Sequence, residues 1–138
     1  MNSNDWIFPV LQYRVIDGDS IKVTLDLGFH LTIKQTCRVV GVDTPENSTP
    51  AGRAVTAAVD EWMESKLLST MRCQSFDLGK FRGRFVGEIM HGDERLSAWL
   101  TGNGLCARYD GGRRHQWSGF ELERIERLAV DAIAMASD

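Results

Sequence analysis

The first 42 residues decide most of what this chain can become. Segments 10–16, 21–25, 29–33 and 37–42 are rich in Val, Ile, Leu and Phe. Each is too short for an ordinary helix and long enough for a strand. Turn-forming residues stand between them: Asp17 with Gly18, then 26–28, then the polar triplet 34–36. Pro9 has no N–H to give a ladder, which puts the start of the first strand at an edge or outside the sheet. Four successive short strands with tight connections have to close on themselves or find a covering layer.

The pattern breaks at Asp43, Thr44, Pro45 and Glu46, where Pro45 holds Thr44 out of helical space. A helix follows, with Thr49 as N-cap, Pro50 at its first position and Ala51, Val55, Ala58 and Trp62 at helical spacing, running to about Leu68. Residues 71–76 and 84–90 are two further strands, and 96–101 is a short helix closed by Gly102. Ser118 and Glu121 form a capping box opening a last helix. Its core stripe is Leu122, Ile125, Leu128 or Ala129, Ala132 and Ile133, with Glu121, Glu123, Glu126 and Arg127 on the solvated face. Short strands with helices inserted late predict an α+β fold: a five-stranded Greek-key barrel of the OB type with about three α-helices.

The chain has 138 residues, enough for one domain over 1–138 that buries its own core without staples. The three cysteines, Cys37, Cys73 and Cys106, are odd in number and far apart, which predicts reduced thiols rather than a disulfide framework or a zinc site. No apolar run reaches the length of a membrane span, and no basic-then-apolar leader opens the chain. The expectation is a cytoplasmic monomer away from membranes, with an exported precursor trimmed upstream left open. A net charge of −3 counts against a tight, non-specific nucleic-acid binder but not against an enzyme that touches a polyanion briefly.

Within this frame the stretch Val15-Ile16-Asp17-Gly18-Asp19-Ser20 poses a question. Asp-Gly between apolar residues is a hairpin signal, with Gly18 supplying a positive φ. Strand alternation also puts Asp17 and Asp19 on one face, and buried carboxylates need a partner. A second acidic group, Val42-Asp43-Thr44-Pro45-Glu46, can join the first, and four converging carboxylates repel unless a cation lies among them. Oxygen donors without histidine or thiolate select Ca²⁺ or Mg²⁺. Arg38, on the strand leading to Asp43, and Arg84, after Gly83, add two permanent charges whose forks suit phosphate oxygens. Simple alternation puts Arg38 and Asp43 on opposite faces, so one shared site requires an irregularity near Gly41. The loop 107–117 mixes Arg108, Arg113, Arg114 and His115 with Tyr109 and Trp117, a composition suited to single strands.

Taken in order, these residues resemble the staphylococcal (micrococcal) nuclease or thermonuclease family over roughly 13–106, with Asp26-Leu27-Gly28-Phe29 and Tyr109-Asp110-Gly111-Gly112 nearest its phage and bacterial members. The resemblance implies an OB-fold barrel and Ca²⁺-dependent hydrolysis of DNA and RNA phosphodiesters, with Mg²⁺ the second choice of ion and single-stranded or locally melted substrate preferred. It implies Asp19 and Asp43 as carboxylate ligands, Thr44 as a carbonyl ligand, and Asp17 as a supporting acid. Glu46 matches the residue that orients or deprotonates water, and Arg38 and Arg84 match the two that grip phosphate. The family's attack displaces the 5′-oxygen and leaves a 3′-phosphate.

Departures are local. Ser20 stands in place of threonine, and the segment Lys80-Phe81-Arg82-Gly83-Arg84 has its aromatic displaced by one. Aligning on Gly-Arg keeps Arg84 catalytic and leaves Arg82 as the alternative. Lys80, Arg82, Tyr109 and Arg113 are the expected nucleic-acid contacts. The reading is thus a metal-dependent endonuclease, and its rival is a catalytically silent OB module that binds single strands or protein partners.

Overall fold

β-Branched and aromatic runs become strands here because each places one set of side chains inside a closed wall. In the computed structural model, which describes residues 6–78 and 82–136, the strands are β1 (Ile7–Asp17), β2 (Ser20–Gly28), β3 (Leu31–Val39), β4 (Val42–Asp43), β5 (Met71–Leu78), β6 (Arg84–His91), β7 (Glu94–Arg95) and β8 (Ala107–Arg108). Strands β3, β2, β1, β5 and β6 pair antiparallel in that order, and a parallel β3–β6 pairing closes the ring. β7 extends β6, and β4 and β8 form a separate two-stranded ribbon. The fold is α+β, a closed five-stranded barrel of the OB type with three helices: α1 (Pro50–Glu64), α2 (Leu96–Gly102) and α3 (Gly119–Ala136). Among the described residues no helix is long and apolar enough to cross a membrane.

Several local expectations are corrected. Pro9 lies inside β1, paired with Arg72 of β5, at the point where β1 hands its pairing from β5 to β2. Segments 29–33 and 37–42 are not two strands. Residues 31–39 form one, because Lys34, Gln35 and Thr36 continue the ladder opposite Thr24, Val23 and Lys22. The turn falls instead at Phe29 and His30, both left-handed at φ 56° and 63°.

α1 begins as expected: Thr49 Oγ1 accepts the Gly52 N–H at 3.0 Å. It stops at Glu64 rather than Leu68, because the Ser65 hydroxyl donates to the Trp62 carbonyl at 2.7 Å and offers the chain an exit. The capping box of α3 is reciprocal: Glu121 N donates to Ser118 Oγ and Ser118 N to Glu121 Oε1, both at 3.1 Å. α2 has no capping side chain of its own, and buried Glu88 on β6 accepts from the Ser97 N–H at 3.0 Å and from its hydroxyl instead.

The core fills the barrel and the seam under α1. Ile21, Val23, Cys37, Cys73 and Ile89 point inward, while Val55, Val59 and Met63 of α1 close one end. Each such side chain contributes about 1.5–3 kcal/mol on burial. Cys37 and Cys73 are buried free thiols and Cys106 is a partly buried one.

Candidate active site

Asp17 ends β1 and Ser20 opens β2, so Gly18 and Asp19 form the hairpin turn. The hairpin expected of this stretch is present, but Gly18 has a different role from the one expected. It is not among the left-handed residues. A Cβ there would lie 2.6 Å from Val55 Cγ1 and 2.9 Å from Thr44 Oγ1, so glycine is required for close approach. That approach presses the turn against α1 and the 44–46 segment.

Asp19 is then fixed from all sides. Its carbonyl accepts the Val39 N–H at 2.8 Å. Its carboxylate accepts the Ser20 hydroxyl at 3.1 Å and the Thr44 N–H at 3.0 Å.

The break expected near Gly41 is present. β3 ends at Val39, Gly41 is left-handed at φ 76°, and the chain restarts as β4. Tyr109 N–H donates to the Gly41 carbonyl at 3.0 Å, and β8 pairs Ala107 with Asp43. The kink lets Arg38 and Asp43 meet. Arg38 Nη1 donates to the Val42 carbonyl at 2.7 Å and lies 3.5 Å from Asp19 Oδ2, while Nη2 lies 3.7 Å from Asp43 Oδ1. Its guanidinium carbon is 4.8 Å from the Tyr109 ring centre, a cation–π contact that holds the fork in place. Arg38 Nη2 is buried and makes no hydrogen bond.

Glu46 is exposed at the rim, on a loop that is rigid at its backbone. Its carbonyl accepts both the N–H and the hydroxyl of Thr49, at 3.0 and 2.7 Å. The neighbouring Asn47 ties the loop to the end of β1 through the Ile16 carbonyl at 2.7 Å, and Thr56 of α1 donates to its Oδ1 at 2.6 Å.

The residue that sequence reasoning left out of the site is Arg114. Its Nε and Nη2 donate to Asp43 Oδ1 at 3.1 and 2.7 Å. The same Nη2 lies 3.6 Å from Asp19 Oδ2, and Nη1 lies 3.8 Å from Glu46 Oε1. The next residue contributes as well, its His115 N–H donating to Asp43 Oδ2 at 2.9 Å. Nothing local marks Arg114 in a loop of several basic residues; only the contact across 71 positions identifies it.

Arg84 opens β6 opposite Thr36. Since Cys37 and Phe85 of the same pairing point inward, alternation puts Arg84 and Arg38 on the same outer face of the wall, with Cα atoms roughly 8 Å apart. Arg82 is exposed in the preceding turn beside left-handed Gly83, and Arg113 is exposed in the 109–118 loop. Tyr109 is half-buried with a face toward Arg38. Lys80 lies outside the described residues.

The electrostatics follow from this packing. Burial, then the hydrogen bond and repulsion of Asp19, push Asp17 up to about 7. Burial alone would also raise Asp19, but the hydrogen bond from Asp17, then Arg38, the Thr44 N–H and Arg114, outweigh it and hold Asp19 below its ordinary value. The hydrogen bond to Asp43 raises Arg114. The pair therefore takes up one proton, on Asp17, as pH falls through about 7, while Asp19 keeps its negative charge.

Among the described residues no group of three or more His, Cys, Asp or Glu side chains is spaced as a ready metal cluster. Two carboxylates nevertheless converge on one positive nitrogen of Arg114. Carboxylate oxygens are donors of the kind that hard cations take, and Thr44 meets them through its N–H, which donates to Asp19 Oδ2 at 3.0 Å. No family model matches this chain, and no curated protein matches it.

Proposed function

We propose that the chain is a metal-dependent nuclease of the staphylococcal type, hydrolysing phosphodiester bonds of DNA or RNA. The observation that carries this reading is the meeting of Asp19, from the β1–β2 turn, and Asp43, from β4, at a single cationic nitrogen, with Arg38 against both. Two acids buried to 2% and 0% exposure are a costly arrangement for a mere structural turn.

Asp19, Asp43 and the Thr44 carbonyl would hold Ca²⁺, which polarises a phosphoryl oxygen and binds water when present. The remaining work falls to the chain's own groups. Glu46, exposed on a fixed backbone, accepts the proton of an attacking water. Arg38, held by Tyr109 and the Val42 carbonyl, presents a donor to the charge that grows on the equatorial oxygens, and Arg84 supplies a second from the same face. Below about pH 7 Asp17 carries a proton and donates it in a hydrogen bond to Asp19, which helps Asp19 stay charged.

The test is cleavage of heat-denatured DNA and of RNA by the wild type and Glu46→Ala, with Ca²⁺ and with EDTA. Calcium-dependent cleavage that vanishes in the variant is expected. One observation favours a second reading, a silent OB module: Arg114 already neutralises the two aspartates. Single-strand binding by the wild type without cleavage in any divalent ion would establish that alternative and end the nuclease proposal.

A further inference from the structure

Arg114 touches the three carboxylates assigned to the ion and the water: Asp43 through two nitrogens, Asp19 at 3.6 Å and Glu46 at 3.8 Å. We infer that its guanidinium is a built-in surrogate cation, which holds Asp19 and Asp43 in place and must withdraw before a divalent ion can enter. The inference rests on the cation site proposed above and adds the competitor that controls its occupancy.

The physical argument has three parts. First, Arg114 uses the lone pairs that an ion would need. Nη2 sits 2.7 Å from Asp43 Oδ1, and calcium–oxygen bonds of about 2.3–2.6 Å cannot form on an oxygen already so engaged from the same side. A guanidinium and a doubly charged ion a few ångströms apart also repel strongly. The two occupants exclude one another.

Second, withdrawal is a local event. The Arg114 side chain is 51% exposed, so a change of rotamer leads directly to water. The backbone need not unfold. Tyr109 N–H stays on Gly41, and His115 N–H holds the other oxygen, Asp43 Oδ2, at 2.9 Å. The ring of His115 meets Glu121 at 2.8 Å and stacks edge-on to Trp117, with centroids 4.5 Å apart, which fixes the far end of the loop. Between the two anchors the Gly112 carbonyl accepts the Tyr109 hydroxyl at 3.2 Å and its N–H donates to Asp110 Oδ1 at 3.0 Å, so the backbone stays in place while the side chain leaves.

Third, the surrogate offsets the electrostatic cost of the empty site. Without it, Asp19, Asp43 and Glu46 would face each other with Arg38 as the principal balance. With it, the fold is stable before any ion arrives, and ion affinity is set by a competition rather than by the acids alone.

The experiment titrates Ca²⁺ into the wild type and Arg114→Gln by calorimetry, and follows the Arg114 Nε–H signal of the wild type by ¹H–¹⁵N NMR. The variant's missing peak assigns that signal. The variant should bind Ca²⁺ roughly tenfold tighter or more, as expected for loss of a charge-assisted competitor. In the wild type the Nε–H signal should move to the position of a solvent-exposed arginine as Ca²⁺ saturates. Equal affinities with an unmoved signal would overturn the surrogate and leave the nuclease reading standing. Absence of Ca²⁺ binding by both proteins would overturn both. Should Arg114→Gln fail to fold, Arg114→Lys, which also lacks the guanidinium Nε–H, supplies the missing peak, and the wild-type NMR titration still decides the matter.

Discussion

Replacing Gly52 by alanine pits helix propensity against close packing, and the structure says which wins. Gly52 is the third residue of α1, and alanine there gains up to about 1 kcal/mol of intrinsic helix propensity. A Cβ at this position, however, would lie 1.8 Å from the Glu46 carbonyl oxygen and 2.8 Å from that of Pro45. Both contacts are with backbone, so no rotamer relieves them. The 45–46 segment or the first turn of α1 must shift by about 1 Å, at an overpacking cost of about 1–3 kcal/mol. The shift also disturbs the bonds from Thr49 to the Glu46 carbonyl and from Gly52 N–H to Thr49, whose loss as a cap costs about 1 kcal/mol more. The net expectation for Gly52→Ala is a destabilisation of about 2 kcal/mol, or a Tm lower by roughly 6–10 °C for a domain of this size. Because the displaced atom belongs to Glu46, the proposed nuclease activity, measured well below the new Tm, should fall as well. Thermal melting followed by circular dichroism, with cleavage assayed in parallel, checks both halves. A variant that melts at or above the wild type would refute the packing argument, since it would show that the helix can relax without moving the loop.

Other expected outcomes concern chemistry and pH. Arg84→Ala should cost several kcal/mol of transition-state stabilisation in kcat/KM while leaving the denaturation midpoint nearly unchanged, because the residue is at an outer strand end; a matching loss in Arg82→Ala alone would place the second arginine two residues earlier. Glu46→Gln should reduce kcat with little change in Ca²⁺ affinity, measured by calorimetry beside turnover, because its exposed carboxylate is assigned to the water rather than to the ion. Burial holds the Glu88 carboxyl above the ordinary 4.5, against the bonds from Ser97 and Ile89. A raised folded value contributes stability that is present below the unfolded pKa and lost as pH rises through the folded one. Urea midpoints of wild type and Glu88→Gln should therefore shift in the variant's favour between pH 4 and neutrality, and a difference independent of pH would contradict the assignment.

Much of the scaffold could be read from short-range chemistry. Thr49, Pro50 and the Ser118–Glu121 box act on backbone groups within one turn, so the residue types themselves specify where α1 and α3 begin. The apolar runs specified strands because inward side chains alternate with outward ones. The same reasoning failed where a neighbour's ladder overrode local polarity. Lys34, Gln35 and Thr36 look like a turn, yet paired with β2 they are ordinary strand. The actual turn uses two left-handed residues other than glycine, Phe29 and His30, which local preference disfavours.

The site divides along the same line. Sequence alone determined which acids and arginines had to be accounted for, and the face alternation of a strand required the kink that Gly41 supplies. Tertiary structure alone decided that Gly18 and Gly52 are glycines for want of space, that Tyr109 braces Arg38, and that Arg114 lies between Asp19 and Asp43. The reason is range. Caps, turns and alternation act over a few residues, whereas a steric gap or an ion pair depends on which distant segment the closed barrel brings alongside.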